Sequence, residues 1–355
     1  MRLEIETDKA VYEVLFGRIQ IEITGRCNMK CRHCRASSQV GKDMDIGQVA
    51  KTARFAKQYG ENDMEVVVSG GEPMKHREFD KVLKTLREVG CEFLTLTTNG
   101  SLLQRHHLDL FQSLACQRFI LSVSLDSLDS KKHDEFRRCL GAFNRATQSL
   151  EMAAENKFPG LLLSIRTVIL PDGIGQMEAM VCFARDIGCD RIGFSDVHPF
   201  GRASKNQKLL MDKNRKRDFA KEVLRLARAY PDMIVSNSDP IKCLTLDTEN
   251  NDPVDPQDEV VYNGCGAGVV TFNVNSNGIM TPCVLLEIPM MNVFHLSSEQ
   301  IAVEYTRNEV VKNILDMNLR GKCGFCKKKY QCGGCRARAY AMTGDYLGED
   351  PHCWV

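Results

Sequence analysis

The chain has 355 residues, enough for one large domain and a smaller one with a well-buried core, so disulfides are not needed to hold the fold. Lysine and arginine number 47 against 46 acidic residues, a net charge of +1 with no long block of one sign, which argues against nucleic-acid and membrane partners. Acids at Glu4 and Glu6 replace the apolar run of a secretory signal, and no stretch reaches the roughly 18 apolar residues of a membrane span, so a cytoplasmic protein is expected.

Residues 1–17 read as an N-terminal extension, expected to form a hairpin. From Arg18 to about Ser195 short β-branched runs alternate with segments of helical period, the pattern of repeated β-α units around a parallel sheet. The predicted strands are Ile19 to Ile23, Glu65 to Val68, Phe93 to Thr97, Phe119 to Leu125, Leu161 to Val168 and Arg191 to Phe194. Six units are too few to close an eight-stranded barrel, so the expectation is an α/β fold, a partial TIM-like (β/α)6 barrel over residues 18–235. The barrel ends with a helix near Asn214 to Ala229, and Asp239 to Asp258, rich in Asp, Asn and Pro, places a linker at 236–260. Residues 261–355 read as a small cysteine-rich α+β domain, with a hairpin of Val269 to Val274 and Ile279 to Pro282 around Asn275-Ser276-Asn277-Gly278. From Gly321 onward apolar periodicity is weak, and bound metal is the expected source of order.

In parallel barrels the chemistry sits in loops leaving the C-terminal ends of the strands. Here Cys27, Cys31 and Cys34 follow the first strand, Gly70-Gly71-Glu72-Pro73 the second, Thr98-Asn99-Gly100 the third, and His198-Pro199 the sixth, while Ser124 and Asp126 close the fourth. One rim collects them all.

Sixteen cysteines in a reducing compartment read as metal ligands or reactive thiols before disulfides. Cys27-x3-Cys31-x2-Cys34 gives three thiolates on one loop where simple iron-sulfur proteins supply four, which leaves one iron open to a chelating small molecule. In this the sequence resembles the radical S-adenosylmethionine (SAM) superfamily. The resemblance implies a 4Fe-4S cluster on these cysteines and reductive cleavage of SAM to a 5'-deoxyadenosyl radical. It further implies that Gly70, Gly71, Glu72 and Pro73 serve the methionine amino group, that Asn99 belongs to the cofactor-binding rim, and that Ser124 and Asp126 contact the ribose. Arg137 and Arg145 are both candidates for the methionine carboxylate, since a guanidinium binds two oxygens at once.

The tail carries a second pattern: Cys265-x12-Gly278-x4-Cys283, then Cys323-x2-Cys326-x5-Cys332-x2-Cys335, then Cys353. It resembles the SPASM extension of these enzymes, which holds two auxiliary 4Fe-4S clusters, with a departure at Cys335, where the usual internal spacing is three. By that resemblance Cys265, Cys283 and Cys335 would share one cluster, with Cys243 as the fourth ligand or an open iron in its place. Cys323, Cys326, Cys332 and Cys353 would share the other. Zinc is the competing metal, because Cys-x2-Cys pairs also build tetrahedral zinc sites. Cys91, Cys116, Cys139, Cys182 and Cys189 stand singly and read as small apolar fillers, or as a thiol hydrogen donor if one faces the barrel lumen. His198 to Arg202 reads as a substrate or cofactor contact or a plain turn.

Relatives with this extension mostly modify peptides and proteins, so the expected activity is oxidative modification of a peptide or protein: a thioether or carbon-carbon crosslink or a side-chain oxidation. The expected cofactors are SAM and three 4Fe-4S clusters, and the expected partner is an electron donor such as flavodoxin or ferredoxin; a ribosomal peptide would be recognised by the Arg2 to Phe16 segment, the barrel mouth or a separate leader-binding protein. Tetrapyrrole modification, peptide epimerisation and non-catalytic electron carriage are the alternatives.

Overall fold

A computed structural model describes residues 1–35, 41–245 and 264–355; the linker expected at 236–260 lies outside the described residues from 246 onward. A two-stranded antiparallel hairpin, β1 (Leu3–Glu6) and β2 (Val11–Val14), opens the chain. Then follow β3 (Phe16–Thr24), α1 (Ile46–Gln58), β4 (Gly60–Gly70), α2 (Phe79–Glu88), β5 (Phe93–Thr98), α3 (Arg105–Ser113) and β6 (Arg118–Ser124). Two helices, α4 (Ser130–Arg137) and α5 (Ala142–Glu155), lead to β7 (Leu161–Ile169), α6 (Met177–Asp186), β8 (Arg191–Asp196), α7 (Lys213–Ala229) and β9 (Ile234–Asn237). The C-terminal region holds β10 (Thr271–Val274), β11 (Ile279–Thr281), β12 (Met291–Asn292), and short helices α8 (Ser298–Thr306), α9 (Glu309–Leu315), α10 (Gly321–Phe325), α11 (Lys329–Cys332) and α12 (Arg336–Thr343).

Strands β3 to β9 are parallel neighbours in chain order, the open barrel expected from the repeating β-α pattern. Side chains alternate between two buried sides, the helix layer and the barrel lumen. On β7, Leu163, Ile165 and Ile169 are buried in the layer under the helices, while Arg166 and Val168 face a central cavity. Helix entry is specified locally: Asp45 and Gln48 form a reciprocal capping box at the start of α1.

The fold departs from the sequence expectation in two ways. A seventh parallel strand, β9, follows α7; it is four residues long and only Ile234 and Val235 are apolar, too short a run to signal a strand. The C-terminal hairpin is also not a separate sheet. β10 pairs in parallel with β3, Thr271 opposite Arg18 through Val274 opposite Ile21, so one ten-stranded sheet runs from the hairpin to β9. Backbone accounting explains the join, because an unpaired β3 edge would leave its N–H and C=O groups without partners. Aromatic packing seals it. Phe272 of β10 meets Phe16 of β3 edge-on at 4.7 Å, Tyr305 of α8 packs on Phe16 at 5.3 Å, and all three rings are fully buried.

Candidate active site

Where β3 ends, the chain turns through the loop carrying Cys27, Cys31 and Cys34. Their side chains line one cavity of about 330 Å³ together with Glu72, Asn99, Ser124, Arg137, Arg166 and His198. All sixteen cysteines carry free thiols. Burial lifts the Cys31 thiol above its ordinary range, while the Arg137 guanidinium, 3.9 Å from Sγ, pulls it back toward the thiolate. Iron would replace the proton on each sulfur and remove the cost of an isolated buried thiolate. Among the described residues no three His, Cys, Asp or Glu side chains converge on a single-ion site. A cubane cluster needs its ligands spread around a wider cage, and three thiols around one cavity fit that need.

Most motif residues act first on the cysteine loop itself. Gly71 donates to Thr24 O at 2.8 Å and Glu72 N to Arg26 O at 2.8 Å, so the Gly-Gly-Glu segment is zipped to the start of the loop. A Cβ on Gly71 would collide with Arg26 O, so glycine here serves a backbone-on-backbone contact within the protein, a role that the motif reading assigned to the ligand. Pro73 then opens a short 3-10 turn. The fully buried Glu72 carboxylate accepts from Asn99 N at 2.8 Å, Thr98 Oγ1 at 2.6 Å and Met74 N at 3.3 Å. Burial raises its pKa against these three donors. The Asn99 side chain donates to Asn28 Oδ1 at 2.9 Å, tying the β5 loop to the cysteine loop.

His198 to Arg202 brace the same loop from the other side. Arg202 N donates to Cys34 O at 3.0 Å and Arg202 Nε to Cys31 O at 2.7 Å. Gly201 has φ +53°, and a Cβ there would strike the carbonyls of Cys34 and Arg35. No local motif signals this bracing role, because its contacts are more than 160 residues away in sequence. Gly201→Val should therefore displace the cysteine loop: iron bound after anaerobic reconstitution is expected to fall by about one cluster, roughly four irons. Iron content unchanged from wild type would refute the bracing role.

The four residues around β6 and α4 are placed differently from one another. Ser124 lines the cavity. Asp126 Oδ2 accepts from Arg137 Nε at 2.6 Å and Oδ1 from Val168 N at 3.0 Å, so its carboxylate is committed to protein partners. Burial opposes the Asp126 charge, but the Arg137 guanidinium overrides it and holds the pKa below the usual range. Arg137 thereby reaches Cys31. Arg145 lies outside the cavity lining, in α5, donating to Cys139 Sγ at 3.1 Å and Leu140 O at 3.0 Å. His33 stacks on Phe136 at 4.6 Å, and burial lowers its pKa to about 4, so it is neutral near pH 7. None of Cys91, Cys116, Cys139, Cys182 and Cys189 lines the cavity; Cys91 and Cys189 fill the main core.

The tail cysteines fall into two neighbourhoods. Cys265 bears electrostatically on both Cys283 and Cys335, and burial pushes the Cys283 thiol up to about 12. Val284 and Leu285, next to Cys283, line the catalytic cavity, so this set abuts it. Cys323, Cys326 and Cys353 line a second pocket, and Cys353 bears on Cys332 and Cys323. Cys243 bears electrostatically on Cys332 of this second neighbourhood and feels Cys326. Gly264, next to Cys265, packs on the Cys332 carbonyl, so the two neighbourhoods meet at Cys332.

A buried ionic network fixes the tail to the barrel. Lys216 of α7 pairs with Asp196 and Asp239. Arg338 of α12 bonds to Asp239 at 2.8 Å and to Asp350 at 2.6 Å, and every member is at most 4% exposed. Asp350 Oδ2 also accepts from Cys335 N at 2.7 Å, which links the network to the first cysteine set. Among the described residues, no helix is long and apolar enough to cross a membrane.

Comparison with known proteins agrees with this geometry. Residues 21–184 match the family model of the radical SAM superfamily. The chain is 27% identical to AdoMet-dependent heme synthase of Methanosarcina barkeri, over 94% of this chain and 94% of that protein. It is 26% identical to the antilisterial bacteriocin subtilosin biosynthesis protein AlbA of Bacillus subtilis, over 88% of this chain and 66% of that one. Among solved structures, Streptococcus suis SuiB bound to the precursor peptide SuiA superposes with a TM-score of 0.80 at 19% identity, covering 97% of this chain and 77% of that chain. With three thiols and the Gly-Gly-Glu-Pro segment converging on one barrel rim inside the matched span, residues 21–184 form a radical SAM domain and the protein is a radical SAM enzyme.

Proposed function

We propose that this enzyme is of the SPASM type, cleaves SAM reductively, and oxidatively modifies a peptide or protein substrate by a thioether or carbon-carbon crosslink or a side-chain oxidation. One observation carries the reading: the Cys27, Cys31 and Cys34 thiols and the segment beside Cys283 line the same cavity. A carbon radical made on one side would face a substrate held between it and a sulfur set able to take an electron. When bound, the cluster and SAM supply one electron and the 5'-deoxyadenosyl radical.

The residues divide the remaining work. Cys27, Cys31 and Cys34 hold the catalytic cluster. Glu72 has one acceptor direction left after its three hydrogen bonds and draws the methionine ammonium, while Ser124 faces the ribose. Arg137 already has Asp126 as its carboxylate, whereas Arg145 has no ion-pair partner among the described residues. Arg145 lies outside the cavity lining, however, whereas Arg137 lines it beside Cys31, so of the two Arg137 is the one placed to meet the methionine carboxylate. Cys265, Cys283 and Cys335 hold one auxiliary cluster with a position left open, and Cys323, Cys326, Cys332 and Cys353 hold the other with Cys243 beside it. A flavodoxin or ferredoxin is the fitting electron donor.

Modification of a tetrapyrrole is the second reading. It draws on the end-to-end match to AdoMet-dependent heme synthase, against 66% coverage of the bacteriocin protein. The test begins with anaerobic reconstitution. About twelve irons per chain are expected, with release of 5'-deoxyadenosine on adding SAM and dithionite. Fewer than about eight irons would remove an auxiliary cluster. Bound iron without nucleoside would leave an electron carrier.

A further inference from the structure

The lumen of the barrel is richer in cations than its chemistry so far uses. Arg18, Arg118, Arg166 and Arg191 stand on the lumen-facing positions of β3, β6, β7 and β8. On those faces, Glu65 pairs with Arg18 at 3.4 Å and Glu22 pairs with Arg35, so acids do not balance the arginines. Arg166 is the member that lines the catalytic cavity.

Its surroundings are built to hold it open. Opposite it in register on β8 is Gly193, whose missing side chain lets the guanidinium lie across the strand, with Nη1 4.0 Å from where a Cβ would be. The side chain reaches toward β9, where Ser236 flanks the same spot and Ser238 Oγ accepts from Nη2 at 3.5 Å. No carboxylate among the described residues pairs with it. Burial, and secondarily Arg18, lowers the Arg166 pKa to about 10, so an arriving anion would relieve a desolvated cation. A planar fork with free N–H groups and hydroxyls beside it matches a carboxylate.

We propose that Arg166, with Ser236 and Ser238, is an anion subsite in the cavity wall that anchors a carboxylate of the substrate. The inference rests on the proposed reading of this cavity as the place where substrate is modified. It also states what any substrate must carry: an acidic side chain on a peptide, or a propionate on a tetrapyrrole.

The test is an equilibrium one on reconstituted enzyme with SAM bound, so it does not depend on turnover. Two probe pairs are titrated: coproporphyrin III against its tetramethyl ester, and a glutamate-containing decapeptide against its glutamine counterpart. Wild type is expected to prefer the acidic member of one pair by about tenfold or more, and the preferred pair identifies the source of the carboxylate. Arg166→Gln is expected to abolish that preference, Arg166→Lys to keep part of it, and Ser238→Ala to weaken it a few-fold. No acidic preference in wild type, or a preference that survives Arg166→Gln, overturns the proposal. Failure of the catalytic reading would appear separately, as wild-type enzyme that releases no 5'-deoxyadenosine.

Discussion

Replacing Cys27, Cys31 and Cys34 together by alanine should reduce 5'-deoxyadenosine release to the level of a protein-free control and lower bound iron from about twelve to about eight per chain. The loss should be confined to chemistry, because the loop does not depend on its thiols for position. Its backbone is held by Arg202 on the carbonyls of Cys31 and Cys34, by Glu72 N on Arg26 O, and by Asn99 on Asn28. The variant should therefore keep the wild-type circular dichroism and melting temperature of the metal-free protein. Nucleoside release that persists in the variant would mean that SAM cleavage does not run through this loop, and the proposed function would fall with it.

Arg338→Met is expected to destabilise the protein by about 3–5 kcal/mol, because it strips a fully buried cation from two buried carboxylates. Among the described residues only Lys216 would remain, already shared between Asp196 and Asp239, and Asp350 would keep no ion-pair partner. Differential scanning calorimetry at neutral pH should show a melting temperature lowered by about 4–7 °C. Burial works against charge on Asp239 and Asp350, but the cations override it, Arg338 foremost, and hold both carboxyls below their usual pKa. Carboxyls depressed in the fold add stability above their unfolded pKa and lose it as pH falls through the folded value. The gap between wild type and Arg338→Met should thus be widest near neutrality and close on the acid side. A gap independent of pH would show that packing of the side chain, not its charge, is what matters.

Much of the site could be read in advance, and the residues show why the rest could not. The three-cysteine loop and Gly-Gly-Glu-Pro advertise themselves by spacing within a few positions, and strand ends put them on one rim. What each neighbour does there depends on contacts remote in sequence. Arg202 grips Cys31 across 171 positions, and Asp126, matched to a ribose contact, spends its oxygens on Arg137 and Val168 N. Arg137 and Arg145 look equivalent as sequence, yet only the fold reveals that one already owns a carboxylate. Likewise β10 reads as half of a local hairpin, because its partner β3 lies some 250 residues earlier and strand pairing leaves no mark on composition.

That long-range pairing has a mechanical consequence. Cys265 and Cys283 bracket the hairpin strand that is hydrogen-bonded to β3, and β3 ends where the Cys27 loop begins. The gap that an electron would tunnel between the two sulfur sets is therefore set by a strand register rather than by the reach of a linker. Such a tail is no detachable cartridge: grafting another relative's tail onto this barrel would succeed only if the strand came with it.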